Sequence, residues 1–181
     1  WSYIEADRDD PASWVDAGPK GNLPCSNESA IISTLHDNAT YDMAEELVGK
    51  DRLRPPGKPL CKMNYPTGHK NWEPPKGHLD GYLVDGVAGT FTVAVTLNVS
   101  DILLQGGGFT TWGKSHLKVA EYFRQHPITH GWDINKGKVP GFKDLPNRYE
   151  HAAPAGSVVF WHHYMLHTAS MNCQDTIRMA L

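Results

Sequence analysis

His78 and Asp80 stand two positions apart in GHLDGYLV, residues 77–84, an apolar run flanked by glycine. In an extended chain, side chains alternate with a period of two, so this pair shares one face and Leu79 takes the other. A carboxylate beside an imidazole is either a solvated surface pair or two of the ligands of a metal site. A third ligand must come from another strand, and AGSVVFWHHYMLHTASMN offers histidines at 162, 163 and 167. Alternation through SVVFWHH puts His162 and His163 on opposite faces, where each reads most simply as a core or surface residue. His167 stands where the strand pattern gives way to polar TASMN, and ligands concentrate at such loop edges. Two imidazoles and one carboxylate leave three adjacent positions open on a six-coordinate metal, which suits non-haem Fe(II).

Arg178 follows His167 by about eleven residues, within the apolar segment TIRMAL. A strand interior is costly for a guanidinium unless an anion pairs with it. Its planar fork can clasp a carboxylate through two parallel hydrogen bonds, so an Arg near an open iron site predicts a small dicarboxylate beside the metal. The alternative is a structural pair with a core acid such as Asp175.

Taken together, GHLDG, GGGFTTWGKSH, AGSVVFWHHYMLHTASMN and TIRMAL resemble the phytanoyl-CoA dioxygenase family of Fe(II)/2-oxoglutarate oxygenases. Its members share His-x-Asp, a Gly-rich strand ending in a PGSH-like element, Gly-Asp-x-x-x-Phe before the distal histidine, and an Arg about eleven residues after it. The resemblance covers residues 60–181. It implies a double-stranded β-helix with iron held by His78, Asp80 and His167. The distal carboxylate of 2-oxoglutarate would pair with Arg178, and Asn64 matches a polar position near the co-substrate. It also implies O2 consumption, release of succinate and CO2, and ascorbate as an accessory reductant. Where the family has Ser two places after the distal histidine this chain has Ala169, so Ser170 or Thr168 would substitute; WGKSH replaces PGSH at a turn. Related iron halogenases carry Gly or Ala at the position of Asp80, so the carboxylate points to hydroxylation, desaturation or ring closure of a C–H substrate.

Two rival readings stand beside this one. A protein hydroxylase or demethylase of the JmjC type shares the triad but usually holds 2-oxoglutarate through a Lys on another strand. A cupin-like metal-binding module without oxygenase activity has no need of Arg178. A zinc hydrolase is disfavoured, since neither HExxH nor Cys-rich spacing occurs. The substrate reads as a small molecule or acyl compound, with Trp72, Tyr82, Trp112, Trp132 and Tyr164 as candidate pocket walls. No motif marks a CoA site.

The elements that must position these residues are those of one domain of 181 residues. A chain of this length buries roughly 70% of its unfolded surface and needs no disulfide staples. Net charge is −3 with both signs interspersed, against a nucleic-acid binder, and no apolar run is long enough to span a membrane. Three scattered cysteines read as idle thiols of a reducing compartment, which favours the cytoplasm, and a monomer or weak homodimer is expected. The sequons at Asn27, Asn38 and Asn98 would matter only in a secreted chain, and the first residue, Trp1, leaves room for an upstream segment.

Residues 1–58 read as an irregular and helical region packing on a barrel, with Ser26 and Thr40 as helix N-caps and Gly49 as a C-terminal stop. Residues 59–181 read as a mainly β, jelly-roll or cupin-like barrel with flanking helices. LCKMNY, TFTVAVTLNV, GGGFTTW and two strands near the C-terminus supply it. SHLKVAEYFRQH reads as an amphipathic helix capped by Ser115, with Leu117, Ala120 and Phe123 on its stripe. Residues 127–150 read as a long loop insertion that folds over the barrel mouth with Trp132 and Phe142.

Overall fold

The computed structural model describes residues 1–36, 39–54, 57–73, 76–80, 93–125 and 145–181, with the backbone alone at 83–84 and 87–88. Tyr82, Trp132, Phe142 and most of the expected loop insertion lie outside the described residues.

The N-terminal region is short-helical. Two single 3-10 turns, Pro11–Trp14 and Pro24–Asn27, precede α1 (Ser29–Ile32), a third turn Ser33–Leu35, and α2 (Ala39–Val48). Gly49 ends α2 with φ +101° and donates its N–H to Glu45 O at 2.7 Å, the left-handed stop expected of it. The two N-caps fall differently: Thr40 lies inside α2, and Ser26 sits within a 3-10 turn and donates to Leu23 O at 2.8 Å.

Among the described residues nine strands follow: β1 (Lys62–Asn64), β2 (Leu83–Val84), β3 (Val87–Ala88), β4 (Val93–Leu97), β5 (Phe109–Trp112), β6 (Arg148–Glu150), β7 (Val158–His162), β8 (His167–Ala169) and β9 (Arg178–Ala180). Three of these, β7, β8 and β9, stand where two were expected, and β6 occupies the end of the expected loop. One helix, α3 (Ser115–Gln125), interrupts them. Every strand pair is antiparallel, so the described chain is mainly β with few helices.

Apart from the separate pair β2–β3, the pairs join into two arrays. β1 pairs β9 with Asn64 opposite Arg178, and β4 pairs β7 with Ala94 opposite Trp161. Beyond its end, β4 is tied to β9: Leu97 and Leu181 exchange N–H···O bonds of 3.0 Å each, and Val99 N donates to Met179 O at 2.9 Å. The first array therefore runs β1–β9–β4–β7. In the second, β5 lies between β6 and β8, and the segment at His78 is bridged to His167 on the far side of β8. Trp161 of β7 reaches across to β5 and β8, its ring 5.3 Å from Phe109 and 4.2 Å from His167.

Each array has an outer apolar cover. Met63 and Met179 pack with Ile177, Tyr65 and Ala17 against Trp14 and Ile4 of the N-terminal region. Alternation sends their neighbours Asn64 and Arg178 to the opposite side, toward the second array. On the second array, Leu79, Trp112, Val119, Leu145 and Leu166 form the core beneath α3. The apolar stripe of α3 differs from the expected one: Val119 is fully buried, whereas Leu117 is 58% exposed. Ser115 is fully buried and does not serve as a simple cap; its hydroxyl accepts Leu166 N–H at 2.9 Å and donates to Met165 Sδ at 3.3 Å, pinning the helix start to the turn before β8.

Gly77 marks how closely the His78 segment approaches this core. A Cβ there would meet Leu166 Cγ and Trp112 Cζ3 at 2.8 Å each, too near for either to relax cheaply inside a packed cluster. Gly57, by contrast, has nothing within 4 Å. Gly77→Ala is expected to cost about 1–3 kcal/mol, or roughly 2–10 °C in Tm, and Gly57→Ala less than about 0.5 kcal/mol. Thermal unfolding of the two variants side by side checks the contrast.

Candidate metal centre

The backbone does the positioning. His78 N donates to His167 O at 2.9 Å and His167 N to His78 O at 3.1 Å, a reciprocal pair that sets the two side chains on one face. Their rings lie 4.5 Å apart between centroids. Asp80, two residues on, returns to that face, while Leu79 points into the core at 1% exposure. Among the described residues, His78, Asp80 and His167 form a group whose ligand atoms all lie within 4.8 Å of one another.

The geometry suits a cation. Nε2 of His78 and Nε2 of His167 each stand 3.5 Å from a different oxygen of Asp80. That is long for a hydrogen bond but ordinary for two donors sharing one ion at about 2.1 Å. Nδ1 of His167 lies 2.9 Å from Met165 O, and a carbonyl can only accept, so Nδ1 donates there and Nε2 is the ring nitrogen turned to Asp80. Contact with His167, then with His78, holds the Asp80 carboxyl well below the usual carboxylate range against the opposing effect of burial. His167 is buried, whereas His78 and Asp80 keep side-chain exposures of 46% and 44%, so the centre opens to one side. The two neighbouring histidines stay apart from it. His162 Nδ1 accepts Tyr164 N–H at 3.0 Å, and His163 stacks on His162 at 4.2 Å.

Arg178 is buried at 5% exposure, with no hydrogen-bond partner for its Nε among the described residues. Asp175 is not its partner; that carboxylate pairs with Lys70 at 3.2 Å on the surface. Burial pushes the guanidinium down to about 10, opposed by the charge of Glu150. Glu150 is itself committed, since its carboxylate accepts the N–H groups of Gln105 (2.6 Å) and Gly108 (2.8 Å) and so folds the Gly-rich turn before β5. Asn64 lies beside Arg178 in register and donates through Nδ2 to Ser170 O (2.7 Å) and Gly107 O (3.2 Å), tying β1 to the second array.

The remaining candidates are placed as follows. The Ser170 hydroxyl contacts Thr110 Oγ1 in a very short hydrogen bond. Strand alternation puts it on the face opposite His167, whereas Ala169 shares the face of His167; Ser170 and Ala169 both line a cavity of about 550 Å³ with Asn64, Met63, Tyr65 and Lys20. Trp112 belongs to the core beneath α3, and Tyr164 packs against that core at 5.5 Å from Phe123, so neither faces the metal centre as a pocket wall would. Trp72 is half-buried with its indole N–H unpartnered among the described residues.

The rings that do flank the centre were not among the expected walls. Trp161 and Phe109 pack on His167 at 4.2 and 5.4 Å, and Thr111, directly opposite His167, bonds His151 Nε2 at 3.0 Å. Alternation in SVVFWHH and FTTW selects two faces for each strand but does not say which is internal. The partner array decides that.

No family model matches the chain, and no curated protein does. Among solved structures it is similar to the crystal structure of the non-heme alpha ketoglutarate dependent carbocyclase SnoK from nogalamycin biosynthesis, at 24% identity and a TM-score of 0.45. The match covers 66% of this chain and 44% of that one, so the chain spans less than half of that protein's length. No described helix is long and apolar enough to cross a membrane.

Beside this centre, His163 is held down at about 4 from 6.5 by burial and by the charge of His162. The unfolded chain therefore takes up its proton first as pH falls. Stability is full above pH 6.5, declines between 6.5 and about 4, and is flat below as far as this group is concerned. His163→Gln is expected to flatten that part of the stability–pH curve, measured by urea unfolding at stepped pH.

Proposed function

We propose that the protein is an Fe(II)- and 2-oxoglutarate-dependent oxygenase that hydroxylates a C–H bond of a small-molecule or acyl substrate. The observation that carries this reading is the convergence of His78 and Asp80 with His167, far from them in sequence, with ligand atoms within 4.8 Å. Two neutral imidazoles and one carboxylate cancel one charge of a divalent ion and leave coordination positions for a co-substrate and O2. The buried Arg178 supports the dicarboxylate part of the reading, because its Nε has no partner among the described residues and Glu150, the acid whose charge acts on it, has its carboxylate on backbone N–H groups. In this reading the two facing arrays are the sheets of a double-stranded β-helix, and the chain is of the phytanoyl-CoA dioxygenase type.

Iron and 2-oxoglutarate, when bound, would supply the oxidising chemistry with O2, one oxygen atom entering succinate and the other the hydroxylated substrate as CO2 is released. The chain's own residues bind and orient. Asp80 and the two Nε2 atoms hold the ion, and Met165 O keeps His167 in the competent tautomer. Arg178 clamps the far carboxylate, with Asn64 bracing the strand beside it. Trp161 and Phe109 shield the buried side of His167 from water.

The test is release of succinate and CO2 from labelled 2-oxoglutarate with added Fe(II). His167→Ala is expected to abolish both turnover and tight Fe(II) binding. Arg178→Met is expected to keep Fe(II) binding and raise the 2-oxoglutarate requirement at least tenfold, since a charge-assisted bond contributes roughly 1.5–3 kcal/mol. Fe(II) binding without any 2-oxoglutarate turnover would instead favour a cupin-like metal-binding module, and unchanged 2-oxoglutarate affinity in Arg178→Met would remove the anchor.

A further inference from the structure

We propose that Cys25 and Cys61 are a redox-active pair that closes into a disulfide, tying the N-terminal helical region to the start of the first strand. Three contacts hold the two chain segments side by side. Asn22 is bridged to Lys62, Leu23 N donates to Cys61 O at 3.1 Å, and Lys58 Nζ donates to Asn27 Oδ1 at 3.0 Å. Cys25 lies in the 3-10 turn between the second and third of these contacts, so the same contacts that place Leu23 on Cys61 hold the two thiol-bearing segments side by side. Both are free thiols here, Cys61 buried at 3% exposure and Cys25 partly open to solvent. Cys173, also buried, is anchored elsewhere, its N–H donating to Gln105 O at 2.8 Å.

The asymmetry of exposure sets the order of events. Cys25, the accessible thiol, attacks a small-molecule disulfide such as oxidised glutathione, forming a mixed disulfide and releasing one thiolate. Cys61, whose thiol burial pushes up to about 11, is the resolving partner. It loses its proton and attacks the Cys25 sulfur, releasing the second glutathione. Two protein thiols and one oxidised glutathione become one protein disulfide and two reduced glutathiones. The loop so closed spans about 36 residues and contains α1 and α2. Cross-linking a loop of this length removes freedom chiefly from the unfolded chain.

The protein is equilibrated in glutathione buffers of increasing oxidised fraction, acid-quenched, alkylated and mapped by mass spectrometry. The expected result is a linked Cys25–Cys61 peptide with Cys173 alkylated, and a Tm several degrees higher that falls back on reduction. Cys173→Ser should leave the link intact, while Cys25→Ser and Cys61→Ala should each abolish it. Three alkylated cysteines in the most oxidising buffer, a persistent glutathione adduct on Cys25 without a cross-link, or a link through Cys173 would each overturn the proposal.

Discussion

Two backbone hydrogen bonds, His78 N to His167 O and its reciprocal, join a segment in the first half of the chain to one near its end. The candidate site depends on them. Because the bonded residues face one another, each imidazole inherits its direction from the peptide groups rather than from its own rotamer freedom. Asp80 follows by alternation, and the fully buried Leu79 locks the phase of that alternation, since a slip of one residue would drive a carboxylate into the core beneath α3. The apolar cluster of Leu79, Trp112, Val119, Leu145 and Leu166 is thus the support of the polar triad on the other face of the same backbone. Gly77 is the point where the two demands meet, as the chain passes too close to Trp112 and Leu166 for a side chain.

A second, polar constraint joins the two arrays near Arg178. Glu150 gathers the N–H groups of the Gly-rich turn, Asn64 spans from β1 to Gly107 O and Ser170 O, and Asn172 Nδ2 donates to Asn64 O (3.0 Å) and Thr176 O (2.7 Å). These are buried polar groups, and each satisfied bond avoids a desolvation cost of about 1–3 kcal/mol. The guanidinium stands out against that background. Its neighbours bond one another, while its Nε has no partner among the described residues, and Glu150, the acid that acts on it, has its carboxylate on backbone N–H groups.

Much of this was legible in the residues themselves. His78 and Asp80 share a face because the strand period is two, whatever the fold around them. The break in pattern at His167 and the oddity of a guanidinium in TIRMAL needed no coordinates either. Less was legible wherever a residue's role depends on what covers its strand. Trp112 read as a pocket wall and proves to be core, while Trp161 and Phe109, unmarked by any motif, flank His167. Ser170 stood near the right place in sequence, but parity assigns its hydroxyl to Thr110.

The sequence by itself determined the local quantities: which residues are extended, which alternate together, and which side chains could ligate a cation or pair with an anion. These follow from backbone geometry and side-chain chemistry within a few residues. Only the tertiary structure decided the long-range ones. It selected His167 over His162 and His163 by giving it the backbone pairing with His78, and it made Phe109 and Trp161 interior by setting one array against the other. It also set the segments of Cys25 and Cys61, which read as scattered, side by side. Pairing between distant strands is chosen by the packing of all of them at once, and no short stretch of the chain carries that information.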